Sequence, residues 1–358
     1  MIGDRLKLAR ARRGLSLRDL EARIDNLVSA QAIGKYERGA MMPGSRVMMA
    51  LADALGVSES YLAGQSGVEL ENVEFRKKKI TNRKEEAQVE AAAIDLLERY
   101  LEIEEILQVA SRSWDRPREG RFPVREMADV ESAAIRLREY WELGTNPIPV
   151  PGLAEMLEES GIKVVSLDLP FNVSGLTCWV RRKNGDPVPV IVINQNHNGE
   201  RQRFTLCHEL GHMIIDAAED LDDERACDRF AGAILMPSDS VWAEIGKHRS
   251  SISLGELFSL KELYGVSVQV IAYRLKDLGI INTSAHRRLY AAFARHGWLK
   301  PPFPEPLPLP REETNRFRRL CYWALAEEAI SEAKTAELLG MTVRELNQAM
   351  EEPPDGAA

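Results

Sequence analysis

No stretch of this 358-residue chain approaches eighteen consecutive apolar residues, so no membrane-spanning helix is expected. The basic N-terminus is not followed by an apolar segment, and no secretion signal is expected either. Cysteine is scarce. Cys178, Cys207, Cys227 and Cys321, in a chain without a leader, read as free thiols of a cytoplasmic protein rather than as a disulfide framework. Histidine is sparse too, and two of the six fall within one five-residue motif. A formal net charge of −8 excludes a protein that coats nucleic acid over its whole surface. Apolar residues at 44% and charged residues at 28% match ordinary globular proteins, which argues against wholesale disorder, and the length predicts two to three domains.

The charge is not spread evenly. Residues 1–65 hold ten Lys/Arg against seven Asp/Glu, a basic head on an acidic body. That head reads as five short helices. Gly14 ends the first. Ser16 caps the second, with Asp19 completing an approximate capping box, and Ser29 caps the third, which Gly39 and Pro43 stop. A fourth runs from Arg46 to Leu55 and closes on Gly56, and Ser58 caps a last one carrying Tyr61 and Leu62. Short helix, tight turn, short helix is the layout that places a second helix in the major groove. Leu15-Ser-Leu-Arg-Asp-Leu, Val28-Ser-Ala-Gln-Ala-Ile-Gly-Lys-Tyr-Glu-Arg-Gly-Ala-Met-Met-Pro and Leu51-Ala-Asp-Ala-Leu-Gly-Val-Ser resemble the Cro/cI-type (XRE) helix-turn-helix over residues 2–63. The resemblance implies that the helix beginning near Ser29 reads bases. Ala30, Gln31, Gly34 and Lys35 are expected to be exposed there. Gln31 can bond adenine bidentately, and Lys35 can reach guanine or phosphate. Ser29, Arg38 and the arginines of the first helix suit phosphate. Two such heads on a two-fold axis would suit a palindromic double-stranded operator, so a homodimer is expected. The competing reading is a helical protein-interaction module with a solvated basic face.

The basic cluster Arg76-Lys-Lys-Lys precedes a long helix expected from Thr81 to about Gln108, with apolar positions Ala87, Ala91, Ile94, Leu97, Leu101 and Ile106 or Leu107 on a packing or dimerising face. Pro117 to Pro123 reads as a joint and Asp129 to Glu142 as a helix. Leu153 to Glu159 is a short helix. Ile162 to Leu167, Gly175 to Arg182 and Val188 to Asn194 read as strands, with a turn at Asn184-Gly-Asp-Pro.

His208-Glu209-Leu210-Gly211-His212 follows, a His-Glu-x-x-His motif. On a helix, i and i+4 imidazoles share one face and can converge on one ion, at about 2.0–2.1 Å for zinc. Glu209 is rotated about 100° from His208, the position of a general base that takes the proton of the attacking water. A second helix begins near Asp222. Glu224 can complete a His2Glu set with a coordination position left open, and Asp228, one turn on, can accept the N–H of a liganding imidazole. Cys207 and Cys227 flank this site, as small buried thiols or as a redox gate.

Arg203-Phe-Thr-Leu-x-His-Glu-Leu-Gly-His, Glu224 and Phe230-Ala-Gly-Ala-Ile-Leu-Met-Pro are similar to the ImmA/IrrE metallopeptidase family, a gluzincin-like group, over about residues 150–240. Cys207 stands where alanine is usual there, and Asp228 where asparagine or histidine is common. The resemblance implies Zn2+ on His208, His212 and Glu224, an endopeptidase of limited specificity, and a repressor as protein substrate. His248, Tyr264, Tyr273 and Arg274 are open candidates for the transition-state donor. The alternative is a non-catalytic repressor or antitoxin whose zincin-like domain senses a ligand or binds a toxin. Cleavage of the chain's own linker near 66–86 is a further possibility.

Leu257 to Ile281 and Ile330 to Leu346 repeat a helix-turn-helix grammar without the basic excess, and both are expected to pack around the peptidase. The last residues, Glu351 to Ala358, are expected to be mobile. The expected fold is mainly α with an α+β zincin-like middle domain: a five-helix N-terminal domain, a small mixed sheet beside the His-Glu-x-x-His helix, and a helical C-terminal region. The expected boundaries are 1–65 for the DNA-binding domain, 66–122 for the linker and long helix, 123–245 for the metallopeptidase domain, 246–300 for a helical extension and 301–358 for a Pro-rich spacer and terminal helices.

Overall fold

The computed structural model describes residues 2–63, 70–71, 83–117, 120–182 and 187–351. They fall into two units, one made of Met1–Arg112, Cys178–Val188 and Thr314–Ala358, the other of Ser113–Thr177 and Pro189–Glu313. The cluster Arg76-Lys-Lys-Lys, the turn at Asn184, the linker segment before Arg83 apart from Leu70 and Glu71, and residues 352–358 lie outside the described residues.

The chain opens with α1 (Ile2–Arg12), α2 (Leu17–Arg23), α3 (Ala30–Glu37), α4 (Ser45–Leu55) and α5 (Glu59–Ala63). The caps are those the sequence predicts. Ser16 and Asp19 form a full capping box at α2, Ser29 accepts from the Ala32 N–H at α3, and Gly56 closes α4 in the left-handed region, φ +63°. Leu6, Ala9, Leu20, Ile33, Leu51, Leu55 and Leu62 form one buried cluster between these helices. β1 (Leu70–Glu71) and α6 (Arg83–Ile106) follow.

The second unit starts with β2 (Phe122–Val124), inside the Pro-rich joint. Its Pro123 is exposed between two buried neighbours. Then come α7 (Met127–Tyr140), α8 (Leu153–Glu159), β3 (Lys163–Leu167), β4 (Gly175–Arg182), β5 (Val188–Asn194), α9 (Gly199–Ile214), β6 (Ile215–Ala217), α10 (Asp223–Leu235), α11 (Ser238–Ile245), α12 (Leu254–Tyr264), α13 (Val268–Asp277) and α14 (Thr283–Arg295). β3 and β5 run parallel, Lys163 opposite Val190 through Leu167 opposite Asn194, and every β5 residue is buried, as its near-continuous apolar run requires. β2 pairs in parallel with β6. In the first unit β1 pairs antiparallel with the far end of β4.

α9 is the axis of the second unit. Fourteen of its sixteen residues are buried, the exceptions being Arg201 and Phe204. Its Arg203, from the quoted family motif, is fully buried and anchors the helix by bonding the carbonyls of Gly265, Pro149 and Ile148 and the Glu312 carboxylate. α10 packs along α9 and also meets α7 and α13.

α15 (Arg316–Ala326), α16 (Glu332–Leu339) and α17 (Val343–Glu351) end the described chain. The terminal repeat was expected around the peptidase, but the structure assigns these helices to the first unit, where α15 packs on α6. The reason lies in α6, which is buried on more than the single stripe its periodicity suggests. α1 covers one side, α15 another, and Val89, Ala93, Tyr100 and Ile103 are buried with Ala91, Leu97 and Leu101, while Ala87 is exposed. Arg99 of α6 donates to the Leu338 carbonyl at 2.7 Å, and Lys334 pairs with Glu102 at 2.8 Å.

Candidate functional site

α9 and α10 bring the predicted chemistry together. Asn198 caps α9 and Asp222 caps α10, and the helices approach closely because residue 211 is glycine: a Cβ there would stand 3.3 Å from the Cys227 Cα and 3.2 Å from the Phe230 ring. His208, His212 and Glu224 then place one ligand atom each within 4.8 Å of one another. Nε2 of His208 lies 3.4 Å from Glu224 Oε2, and Nε2 of His212 lies 3.4 Å from Glu224 Oε1. Two donors each about 2.0–2.1 Å from a tetrahedral ion stand roughly 3.3–3.4 Å apart. The donor set therefore fits a divalent cation of zinc's size. A second observation agrees: Nε2 of His208 is buried and makes no hydrogen bond, a costly state for a polar atom without a ligand.

The other ring nitrogens are held. Asp228 meets Nδ1 of His208 at 2.7 Å, as its spacing from Glu224 suggests. An imidazole that donates from Nδ1 presents its Nε2 lone pair outward. Nδ1 of His212 lies 3.0 Å from the Cys227 Sγ and 3.2 Å from Asp223 Oδ2. These two supports were not singled out as such by the sequence, where Asp223 is one acid in an acidic run. Glu209 is buried, and its carboxylate accepts from the Thr177 hydroxyl at 2.9 Å. Thr177 lies on β4 and carries no motif that would have identified it.

Other expectations are narrowed. Cys207 is fully buried, and burial pushes its thiol up to about 12, the behaviour of an inert packing residue rather than of a redox gate. Arg274 is buried and tied to Glu131 and the Met236 carbonyl, and Tyr264 shares a hydrogen bond with Ser240. Both are engaged structurally. Tyr273 packs against His286 and Tyr290, and His248 is exposed.

In the first unit, α2 and α3 frame a groove lined by Arg18, Ala30, Gln31, Gly34, Lys35 and Arg38. Gln31, Lys35 and Arg38 are exposed, as is Ser29, whose hydroxyl oxygen caps α3. Gly34 is buried, contrary to expectation, because the Arg38 guanidinium and the Leu17 side chain lie over it. The first-helix arginines are also redirected. Arg10 forms a bidentate pair with Glu37 at 2.6 and 2.9 Å, Arg13 donates to the Leu55 carbonyl, Arg12 pairs with Asp95 at 2.6 Å and Arg5 with Glu98 at 3.3 Å. Their charge is used to dock α1 on α3, α4 and α6. Arg18, which sequence reasoning passed over, is exposed on the groove instead.

Residues 6–62 match the family model described as helix-turn-helix, and residues 157–276 match that of a peptidase family described as the IrrE N-terminal-like domain. The chain joins these two modules. No curated protein and no solved structure matches it. The helix-turn-helix match supports DNA binding by the head, and the IrrE-like match spans His208, His212 and Glu224, the group that could hold a metal ion. No helix among the described residues is long and apolar enough to cross a membrane.

Proposed function

We propose that this protein is a transcriptional regulator that binds an operator through α3 and carries a zinc-dependent endopeptidase in its IrrE-like domain. The observation that carries the enzymatic half is the 3.4 Å spacing of each Nε2 atom from one Glu224 oxygen, together with the burial of the His208 Nε2 without a hydrogen bond. His208, His212 and Glu224 would hold Zn2+. Bound there, the ion would polarise a scissile carbonyl and favour ionisation of an attacking water. Glu209 acts as the general base that receives the proton of that water on its carboxylate, which Thr177 keeps in one orientation. Asp228 fixes the His208 ring, and Cys227 with Asp223 fixes the His212 ring. The substrate is a repressor polypeptide, and its cleavage changes operator occupancy irreversibly. On DNA, Gln31 reads a base, Lys35 reaches a base or a phosphate, and Ser29 and Arg38 anchor phosphates. Two chains on a two-fold axis would read a palindrome.

The test uses the full chain and three preparations. Wild type should carry stoichiometric zinc, and His208→Ala should lose it; equal zinc in both refutes the ligand assignment. Glu209→Gln should keep zinc and fail to cut a cognate repressor. Persistent cleavage by that variant refutes the general-base role. Zinc binding without cleavage by wild type would favour a ligand-sensing or toxin-binding regulator instead.

A further inference from the structure

Within the second unit, α9, α10, α13 and α14 line a half-open cavity of about 620 Å³ beside the candidate metal-binding group, a size typical of small-molecule sites. Its wall is unbalanced in charge. Arg225 and Arg229 stand one turn apart on α10, and Arg201 and Lys276 enter from α9 and α13. Among the described residues none of the four has a carboxylate partner. The Arg201 guanidinium donates to the Ser174 hydroxyl at 2.9 Å, and Nε of Arg229 is buried without a hydrogen bond. The carboxylates sharing the wall are mostly engaged elsewhere: Glu200 and Glu305 bond Lys261, and Asp228 bonds His208. Asp277 remains, exposed.

A solvated basic surface would look different. Arg201 is half-buried, and burial holds its guanidinium below its usual value with no anion to offset the cost. Nε of Arg229 is fully buried. The rest of the wall is aromatic. Phe204, Tyr273, Tyr290 and Phe303 line it, and the Arg201 guanidinium lies 5.5 Å from the Phe303 ring centre. Arg274 also lines the wall but is paired with Glu131; the four cations without a carboxylate partner repel a metal ion, and a cavity of this volume is too small for a nucleic-acid duplex. What such a wall recognises is a flat ring joined to a negative group. The ring stacks on the aromatic side chains, and the anion accepts hydrogen bonds from the paired arginines.

We propose that this cavity binds a small planar ligand bearing an anionic group, either the carboxylate of an aromatic acid or the phosphate of a nucleotide. The site gives the regulator a place to sense a metabolite. It shares a wall residue, Asp228, with the metal centre, but it does not require zinc.

Calorimetric titration of the full chain with indole-3-carboxylate and with AMP tests this, with indole and acetate as the separated halves of the first and adenosine and inorganic phosphate as those of the second. At least one joined probe should bind saturably, once per chain, at least about tenfold tighter than either half. Which probe binds identifies the anion. Arg229→Ala should weaken that binding about tenfold or more. Should that variant fold poorly, Arg225→Ala, at an exposed position, gives the same reading. Failure of both probes to saturate overturns the proposal. So does equal binding by one of the halves, or wild-type affinity in both arginine variants. His208→Ala should retain probe binding while losing zinc. Retained probe binding together with retained zinc would refute the metal assignment and leave this site standing.

Discussion

Asp95→Ala is the sharpest test of how the DNA-binding head is held within its unit. The Asp95 carboxylate is 1% exposed and accepts three hydrogen bonds, from Arg12 at 2.6 Å, Arg99 at 2.8 Å and the Tyr61 hydroxyl at 2.8 Å. Removing one partner of a buried ionic cluster costs about 3–5 kcal/mol, because the cations left behind lose their counter-charge. Arg12 and Arg99 keep side-chain exposures of 25% and 16% and can partly rehydrate. That places the expected loss at the low end, about 3 kcal/mol. The chain has two units, so a single melting midpoint is not a clean measure. Native-state hydrogen exchange is better, since it reads local opening. Amides of α1 and α6 should exchange about a hundredfold faster in the variant, while those of α9 and α10 should be unchanged. Rates in α1 within threefold of wild type would refute the idea that Asp95 pins the head. The pH dependence has a definite sign. Burial alone would raise this carboxyl, but Arg99, Arg12 and Tyr61 outweigh it and hold it below the usual carboxylate range. A group with a depressed folded value contributes stability above its unfolded value, near 4, and loses it as pH falls through the folded one. Protection of α1 should therefore decline below about pH 4 in wild type and show less dependence there in Asp95→Ala.

Two further outcomes follow from the sites. Asp228→Ala removes the support of the His208 ring and should weaken zinc binding about tenfold, the low end of such effects, because the Asp228 side chain is 57% exposed and its bond is screened. Competition against a chelator measures this, and a change below twofold would show that the ring needs no such anchor. Gln31→Ala should lower discrimination between operator and random DNA by about 1–3 kcal/mol, whereas Arg38→Ala should weaken both by similar factors and flatten the salt dependence. Equal loss on both DNAs for Gln31→Ala would remove it from base reading.

What the sequence made legible was whatever local spacing encodes. Ser16 with Asp19, Ser29 and Gly56 announce helix ends within four residues of themselves, and the structure has them as caps. His208 and His212, or Glu224 and Asp228, share a face because they are one turn apart, whatever surrounds them. Even their meeting across two helices needed only a loop short enough to reverse the chain. What stayed hidden depends on partners distant in sequence. Asp95 looks like any acid on an acidic helix until Arg12, 83 positions away, is set against it. The same contact takes that arginine away from the phosphate-facing role that composition alone suggests. Thr177 reaches Glu209 from a strand 32 residues earlier, and nothing in Leu-Thr-Cys marks it.

Gly211 shows how far one residue's meaning can change between the two levels. Inside a helix, glycine is a weakness of about 1 kcal/mol relative to alanine. Here the missing Cβ sets the approach of α9 to α10, with the Cys227 backbone 3.3 Å from where that atom would be. An alanine would gain helix propensity and push α10 back by tenths of an ångström, and α10 carries Glu224, Cys227 and Asp228 together. Because all three belong to one rigid element, the displacement would move the acid away from both imidazoles and slacken both ring supports at once. The local cost of glycine is thus offset at the donor cluster, where a spacing of 3.4 Å leaves little tolerance.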